Sequence, residues 1–287
     1  MANGSAATTP GRPDLGTLLH ALDDPDPQVR REAIVALGEQ GFGSPDIERE
    51  VAERLADRLH DEDSAVRREA AGMLGFFDHE QAVRELNNLL QVEPDGAVRV
   101  EAAFRLIGPD STQTYDILLD ALDDGEPNVR SAAVIALWRL AQMGIEQEQA
   151  LRAIRSMRVD QDGPVLGSVA LALGHIGNQS DVEWVITILA NADKGVRAFA
   201  AMALGLLGDK RAVEALIDAM LTESDGDVLR FIAGALADLA DVRALPTLRT
   251  ILERDGADSF SGSAAAKAID SIEYRQQNQV RTQANLD

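Results

Sequence analysis

Apolar residues recur along this chain with a helical period, and one short phrase of apolar and polar positions keeps returning. A valine is followed by alanine four residues on and by leucine eight residues on, which puts all three on one side of a helix. An acid stands three residues before the valine and an arginine one after it. Val29 carries Asp26, Arg30, Ala33 and Leu37; Val66 carries Asp63, Arg67, Ala70 and Leu74; Val98 carries Asp95, Arg99, Ala102 and Leu106. Val129, with Glu126, Arg130, Ala133 and Leu137, and Val196, with Asp193, Arg197, Ala200 and Leu204, complete five close copies. Three more are degraded. Val165 keeps Asp162 and Leu173 but has Leu166 and Val169; Val228 keeps Asp225 and Leu236 with Ile232 and a displaced Arg230; Ser261 keeps Asp258, Ala265 and Ile269. The eight anchors are spaced 37, 32, 31, 36, 31, 32 and 33 residues apart. Loops around Gly41–Asp46 and Gly144–Gln147 absorb the two long intervals.

A period of this length predicts a stack of helix pairs. The acid can cap the free N–H groups of a helix that starts beside it, and the glycines after the leucine (Gly38, Gly75, Gly174, Gly205) read as helix-end signals. A separate amphipathic run precedes each acid, such as AVRELNNLL from Ala82 or AVEALIDAM from Ala212. No segment alternates with the two-residue period of a strand. Neither helix of a pair can bury its apolar face alone, so stacking makes the core. The expected fold is all-α, a right-handed solenoid of about eight helix pairs over residues 14–275. Residues 1–13 read as a disordered tail without a targeting signal, and 276–287 as a polar, fraying one.

Composition narrows the partners. The net charge is −21, cysteine is absent, and only three of 27 basic residues are lysine (Lys194, Lys210, Lys267). A chain this acidic repels itself in dilute salt; at about 1 M the Debye length falls to roughly 3 Å and the repulsion is screened. Asp-rich, Lys-poor composition resembles the proteins of salt-accumulating microbes such as haloarchaea. Nucleic-acid binding is disfavoured, since phosphate contacts need clustered cations. No apolar run is long enough to span a membrane, and the expected location is the cytoplasm.

The D-x-x-V-R-x-x-A-x-x-A-L-G phrase resembles HEAT repeats, above all the short HEAT-like repeats named after phycobilisome lyases. The resemblance covers roughly Asp14 to Tyr274. It implies a hydrogen-bonded ladder between neighbouring repeats, built from Asp26 and Arg30, Asp63 and Arg67, Asp95 and Arg99, Glu126 and Arg130, and Asp193 and Arg197. Leu166 interrupts it, so the middle of the stack is expected to flex. HEAT-like folds include enzymes, but their chemistry does not map onto this chain. The di-iron hydroxylases use several His-Glu pairs, and here four histidines (His20, His60, His79, His175) supply one, His79-Glu80. HEAT-like DNA glycosylases need a basic, aromatic face. No phosphate-binding loop or nucleophile elbow is present. Acid pairs such as Asp23-Asp24 and Asp123-Asp124 read as solubilising loop charge favourable to the next helix start.

In HEAT stacks the second helices line the concave surface. Positions +3, +6 and +10 from the anchor form a stripe beside the core stripe. At +3 the first three repeats have Glu32, Glu69 and Glu101; the next four have Ala132, Ser168, Phe199 and Phe231. An exposed apolar stripe marks a binding surface, and a helix lying in a groove would suit it. The expected contacts to a protein partner are Ile135, Leu171, Phe199, Met202 and Phe231. A homodimer would use the same stripe equally well. Trp138 and Trp184 read as packing residues. The expected function is a non-catalytic scaffold or adaptor, not an enzyme, with no cofactor and no metal. The alternatives are a bilin-lyase-like chaperone or enzyme subunit and, by fold analogy alone, an adaptor in archaeal taxis signalling.

Overall fold

A computed structural model describes residues 13–39, 45–77, 80–107 and 112–284. Among these residues it has sixteen α-helices and no strand. They alternate as first and second members of eight pairs: α1 Leu15–Ala21 with α2 Pro27–Glu39, α3 Pro45–Asp57 with α4 Ser64–Leu74, α5 Glu80–Val92 with α6 Gly96–Arg105, and α7 Thr112–Asp120 with α8 Pro127–Gln142. The series continues with α9 Gln147–Ser156 and α10 Gly163–Ile176, α11 Val182–Thr187 and α12 Lys194–Leu207, α13 Ala212–Thr222 and α14 Gly226–Leu239, and α15 Leu245–Asp255 and α16 Phe260–Ala284. The fold is an α-solenoid. The chain forms two compact units, Met1–Ala136 and Leu137–Asp287, divided within α8. In the first, α2 packs on α4 and α4 on α6; in the second, α10 packs on α12, α12 on α14 and α14 on α16. The last helix runs through most of the polar tail, to Ala284.

Local chemistry starts the second helices. Asp63 accepts the N–H groups of Ala65 and Val66, Asp95 that of Ala97, Asp193 those of Gly195 and Val196, and Asp225 those of Asp227 and Val228. Asp26 takes the N–H of Gln28 at 2.8 Å. Each bond satisfies a donor that the first turn leaves free. The anchor, +4 and +8 side chains are buried in every repeat, apart from Val29 in the first, which is half-buried.

The capping aspartates are not the arginines' main acid partners. Arg30, Arg67, Arg99 and Arg197 each reach forward to an acid two residues before the next cap. Arg30 meets Asp61 at 2.6 Å, and Arg67 grips Glu93 with two bonds of 2.9 and 2.7 Å. Arg99 grips Asp124 at 2.9 and 2.8 Å, and Arg197 grips Glu223 at 2.7 and 3.2 Å. The same guanidinium donates backwards to its own loop, as Arg67 does to the Asp61 carbonyl at 2.9 Å and Arg130 to the Asp124 carbonyl at 2.8 Å. Burial works to raise the Asp61, Asp124 and Glu223 carboxyls, but the arginine and backbone hydrogen bonds outweigh it and hold all three below their ordinary values. Asp124 is therefore a half-buried rung and not solvated loop charge. Asp23 is likewise taken, by Arg54 at 2.5 Å and Arg58 at 3.3 Å. A parallel tie joins first helices, where Arg211 meets Glu183 at 3.2 Å and Arg243 meets Glu214 at 2.8 Å.

The series stops at Leu166, which packs into the apolar cluster with Val196 and Ala200. The next rung position is Asn191, whose side chain simply accepts the Asp193 N–H at 2.8 Å. Loss of the cation thus coincides with loss of the charge it would have met. The tie moves to the first helices instead. Arg155 donates two 2.9 Å bonds to Asp181, Arg158 pairs with the same carboxylate, and Asp181 is fully buried. The ladder is thus broken at Leu166 as expected, while Arg155, Arg158 and Asp181 tie the first helices of the same two repeats.

Of the glycines after the leucine, Gly75 is the C-cap of α4, as expected, although its φ of −66° is not left-handed. Positive φ belongs to Gly144, Gly208 and Gly256 among the described glycines. Gly174 and Gly205 are contact positions: a Cβ on them would lie 2.8 Å from the Ala203 Cα and 3.0 Å from the Ala235 Cα. The neighbouring helix backbone occupies that space. At Gly234, in contrast, a Cβ would meet nothing within 4 Å. Gly234→Ala is expected to stabilise the chain by about 0.5–1 kcal/mol through helix propensity. Gly174→Ala is expected to destabilise it by about 1–3 kcal/mol through overpacking. Urea unfolding of the two variants checks the opposed signs.

Candidate partner-binding surface

The sequence stripe divides between the two units. Ile135 lies in the first, half-buried on α8. Leu171, Met202 and Phe231 are half-buried in the second, and Phe199 is 37% exposed. Phe199 owes its place to Gly167: a Cβ on that glycine would lie 2.8 Å from the ring. The ring rests against the α10 backbone with its other side towards solvent. Leu206, four residues from Met202, is exposed as well, at 46%. The apparent change of polarity at +3 is only partly a surface property, because Ala132 and Ser168 are buried. Helix neighbours decide this, and the +3 spacing does not reveal it. The Glu39 side chain and Gly108 lie outside the described residues.

In the first unit the corresponding face is charged. A groove of about 770 Å³ lies between α4, α6 and the start of α8, lined by Glu69, Glu101, Glu126, Arg68, Arg105 and Phe104. Arg105 pairs with Glu101 at 2.7 Å and covers the ring of Phe76 at 4.7 Å. Covering this mixture would desolvate several charges at once, which costs free energy unless a partner meets each of them.

The second unit differs. Trp138 and His175 stack with ring centroids 4.6 Å apart and planes 17° apart. Partial desolvation lowers the His175 pKa from its ordinary value. Trp184 carries the Arg158 guanidinium 5.3 Å above its ring. Both tryptophans pack. His79 lies outside the described residues. Among the described residues no three potential metal ligands cluster, and no helix is long and apolar enough to cross a membrane.

A family model described as HEAT repeats matches residues 15–107, 85–174, 115–191 and 182–270, which together take in nearly every helix. The chain belongs to the HEAT-repeat family. Two curated relatives are similar over parts of the chain. The phycocyanobilin lyase subunit alpha of Picosynechococcus sp. is 34% identical over 88 residues, 28% of this chain and 33% of that protein. The bilin biosynthesis protein MpeU of Synechococcus sp. is 30% identical over 118 residues, 40% of this chain and 39% of that protein. The chain thus matches between a third and two-fifths of the length of these relatives. An X-ray structure of YibA from E. coli shares the fold, with a TM-score of 0.64 at 20% identity over 91% of this chain and 93% of that one.

Proposed function

We propose that this HEAT-repeat chain is a non-catalytic scaffold that holds a protein partner along the face formed by its second helices. The observation that carries this reading is Phe199, an aromatic ring seated on Gly167 and left 37% exposed, with Leu206 exposed on the same helix. Exposed aromatic side chains set in a contiguous apolar surface are characteristic of interaction sites. Leu171, Met202 and Phe231 extend the patch, and Ile135 is its counterpart in the first unit. We place the protein in a salt-rich cytoplasm, on its net charge of −21 and three lysines.

The test is crosslinking and capture of the tagged protein from its own lysate at multi-molar salt. Phe199→Asp/Phe231→Asp is carried beside the wild type once circular dichroism shows that it is folded. One partner captured by the wild type and lost from the variant is the expected result. A partner that stays bound to the variant removes the stripe from the interface. A second reading, a bilin-lyase-like subunit, is favoured by the two bilin-related proteins that this chain resembles. A tetrapyrrole chromophore co-purifying with the wild type would replace the scaffold reading with that one.

A further inference from the structure

We infer that the groove between α14 and α16 docks an acidic helical peptide segment, its carboxylates held by Arg230 and Lys267 and its aliphatic side chains by Phe260 and a floor of small residues. The inference rests on the reading of the second-helix face as a partner surface, and it names the chemistry of that partner. The groove has a volume of about 580 Å³ and opens to solvent. Its two cations, Arg230 and Lys267, line the same groove and are both without an acid partner among the described residues. The Arg230 Nε is buried without a hydrogen-bond partner. Arg30, Arg31, Arg54, Arg58 and Arg158 also have an unpartnered Nε, but each forms an ion pair through a terminal nitrogen. Among the described residues Arg230 forms none; it has two rings instead, with Phe231 at 4.1 Å and Phe260 at 6.0 Å from the guanidinium carbon. Aromatic faces hold a guanidinium in place without occupying its N–H groups. The fork is therefore oriented and free to grip a carboxylate.

Lys267 shows the same departure. Lys194 bridges to Asp225 at 3.0 Å and Lys210 to Asp241 at 3.8 Å. Lys267, exposed on the groove wall, bridges to no acid among the described residues. Asp258 also lines the groove without closing on either cation. In a chain of net charge −21, two unpaired cations against one carboxylate make a local excess of positive charge. Phe260 stands 71% exposed at the same groove. The floor is Gly234, with open space above it, together with alanines that include Ala233 and Ala264. Small residues let another helix approach closely, as α12 approaches α10 and α14. Cations, an exposed ring and a small-residue floor together match a helix bearing Glu and Leu on one face.

The test is fluorescence anisotropy with the full chain and a labelled helical peptide that repeats Glu and Leu at i, i+4 spacing. Versions with Gln or Lys in place of Glu are the controls. The Glu peptide is expected to bind the wild type, and Arg230→Gln/Lys267→Gln to weaken it by about tenfold or more. The Gln peptide is expected to be indifferent to that substitution. Gly234→Leu, which fills the groove while leaving both cations, is expected to block the Glu peptide too. Equal binding of the Glu and Lys peptides, survival of binding in the double variant, or no binding at all would overturn the inference. So would a wild-type homodimer in sedimentation that Gly234→Leu dissociates, which would make a second copy the occupant. If the peptide fails while capture remains dependent on Phe199, the scaffold reading stands and only the acidic-peptide inference falls.

Discussion

Asp181→Asn is expected to lower the unfolding free energy by about 3 kcal/mol, the cost of breaking a buried ion pair by removing one partner. Asp181 is fully buried, and its two oxygens take Arg155 at 2.9 Å, Arg158, and the Asn178 N–H at 2.8 Å. Asparagine keeps the size but loses the charge. Two guanidiniums, at 29% and 23% side-chain exposure, are then left facing an amide. Trp184 fluorescence reports the loss directly, because Arg158 lies over its ring. Adding Arg155→Met and Arg158→Met is expected to recover part of the cost, since the stranded cations are gone. A loss below about 0.5 kcal/mol, the scale of a surface substitution, would show that the triad does not brace repeats five and six. The pH dependence has a definite sign. Burial acts to raise the Asp181 pKa, but the Arg155 and Asn178 hydrogen bonds and the nearby charges bring it below its ordinary value. A depressed carboxylate contributes stability that is present above the unfolded pKa of about 3.9 and is lost as pH falls through the folded value. The gap between wild type and Asp181→Asn should therefore close in acid below that range.

The second large effect is a transplant. Leu166→Arg alone is expected to cost about 3 kcal/mol, since it removes a buried leucine and places a cation where no acid waits. Asn191→Asp alone is expected to cost about 1 kcal/mol, for a carboxylate without its arginine. Together they rebuild the rung that Arg67 and Glu93 form elsewhere. The double variant should then be more stable than the sum of the two by about 1–2 kcal/mol, a coupling expected of neighbours in one network. Urea unfolding of the four proteins measures it. Additivity within about 0.3 kcal/mol would mean that the Leu166 and Asn191 positions do not face each other as the intact rungs do.

The rung shows where the sequence is legible and where it is not. All eight second helices begin within two residues of the acid that the repeat marks, from Pro27 after Asp26 to Phe260 after Asp258. A cap and a core stripe are local: side chain, backbone donor and apolar spacing lie within one or two turns, so periodicity reveals them. The repeat marks the arginine as a tie between neighbours, but it points to the capping acid, which is the wrong position. Asp61, Glu93, Asp124 and Glu223 sit in the connecting loops, outside any apolar period, and each lies 25 to 31 residues from its arginine. The exchange of Arg for Leu166 and of acid for Asn191 stands in the sequence, but only the intact rungs show that an acid at position 191 is the one an arginine at 166 would be matched to.

The candidate surface divides in the same way. That Phe199 and Phe231 share a helix face follows from the spacing. That Phe199 stays exposed while Arg230 covers Phe231, and that Ala132 and Ser168 are buried, depends on the neighbouring helices. By itself the sequence determined the repeat, the helix starts, the core positions and the excess of negative charge, because each is set by bonds and spacings within a single helix pair. Tertiary structure alone decided which glycine accepts a neighbouring backbone, which acid closes each rung and which cations remain unpaired. Those outcomes depend on the register of one repeat against the next, which no single repeat encodes.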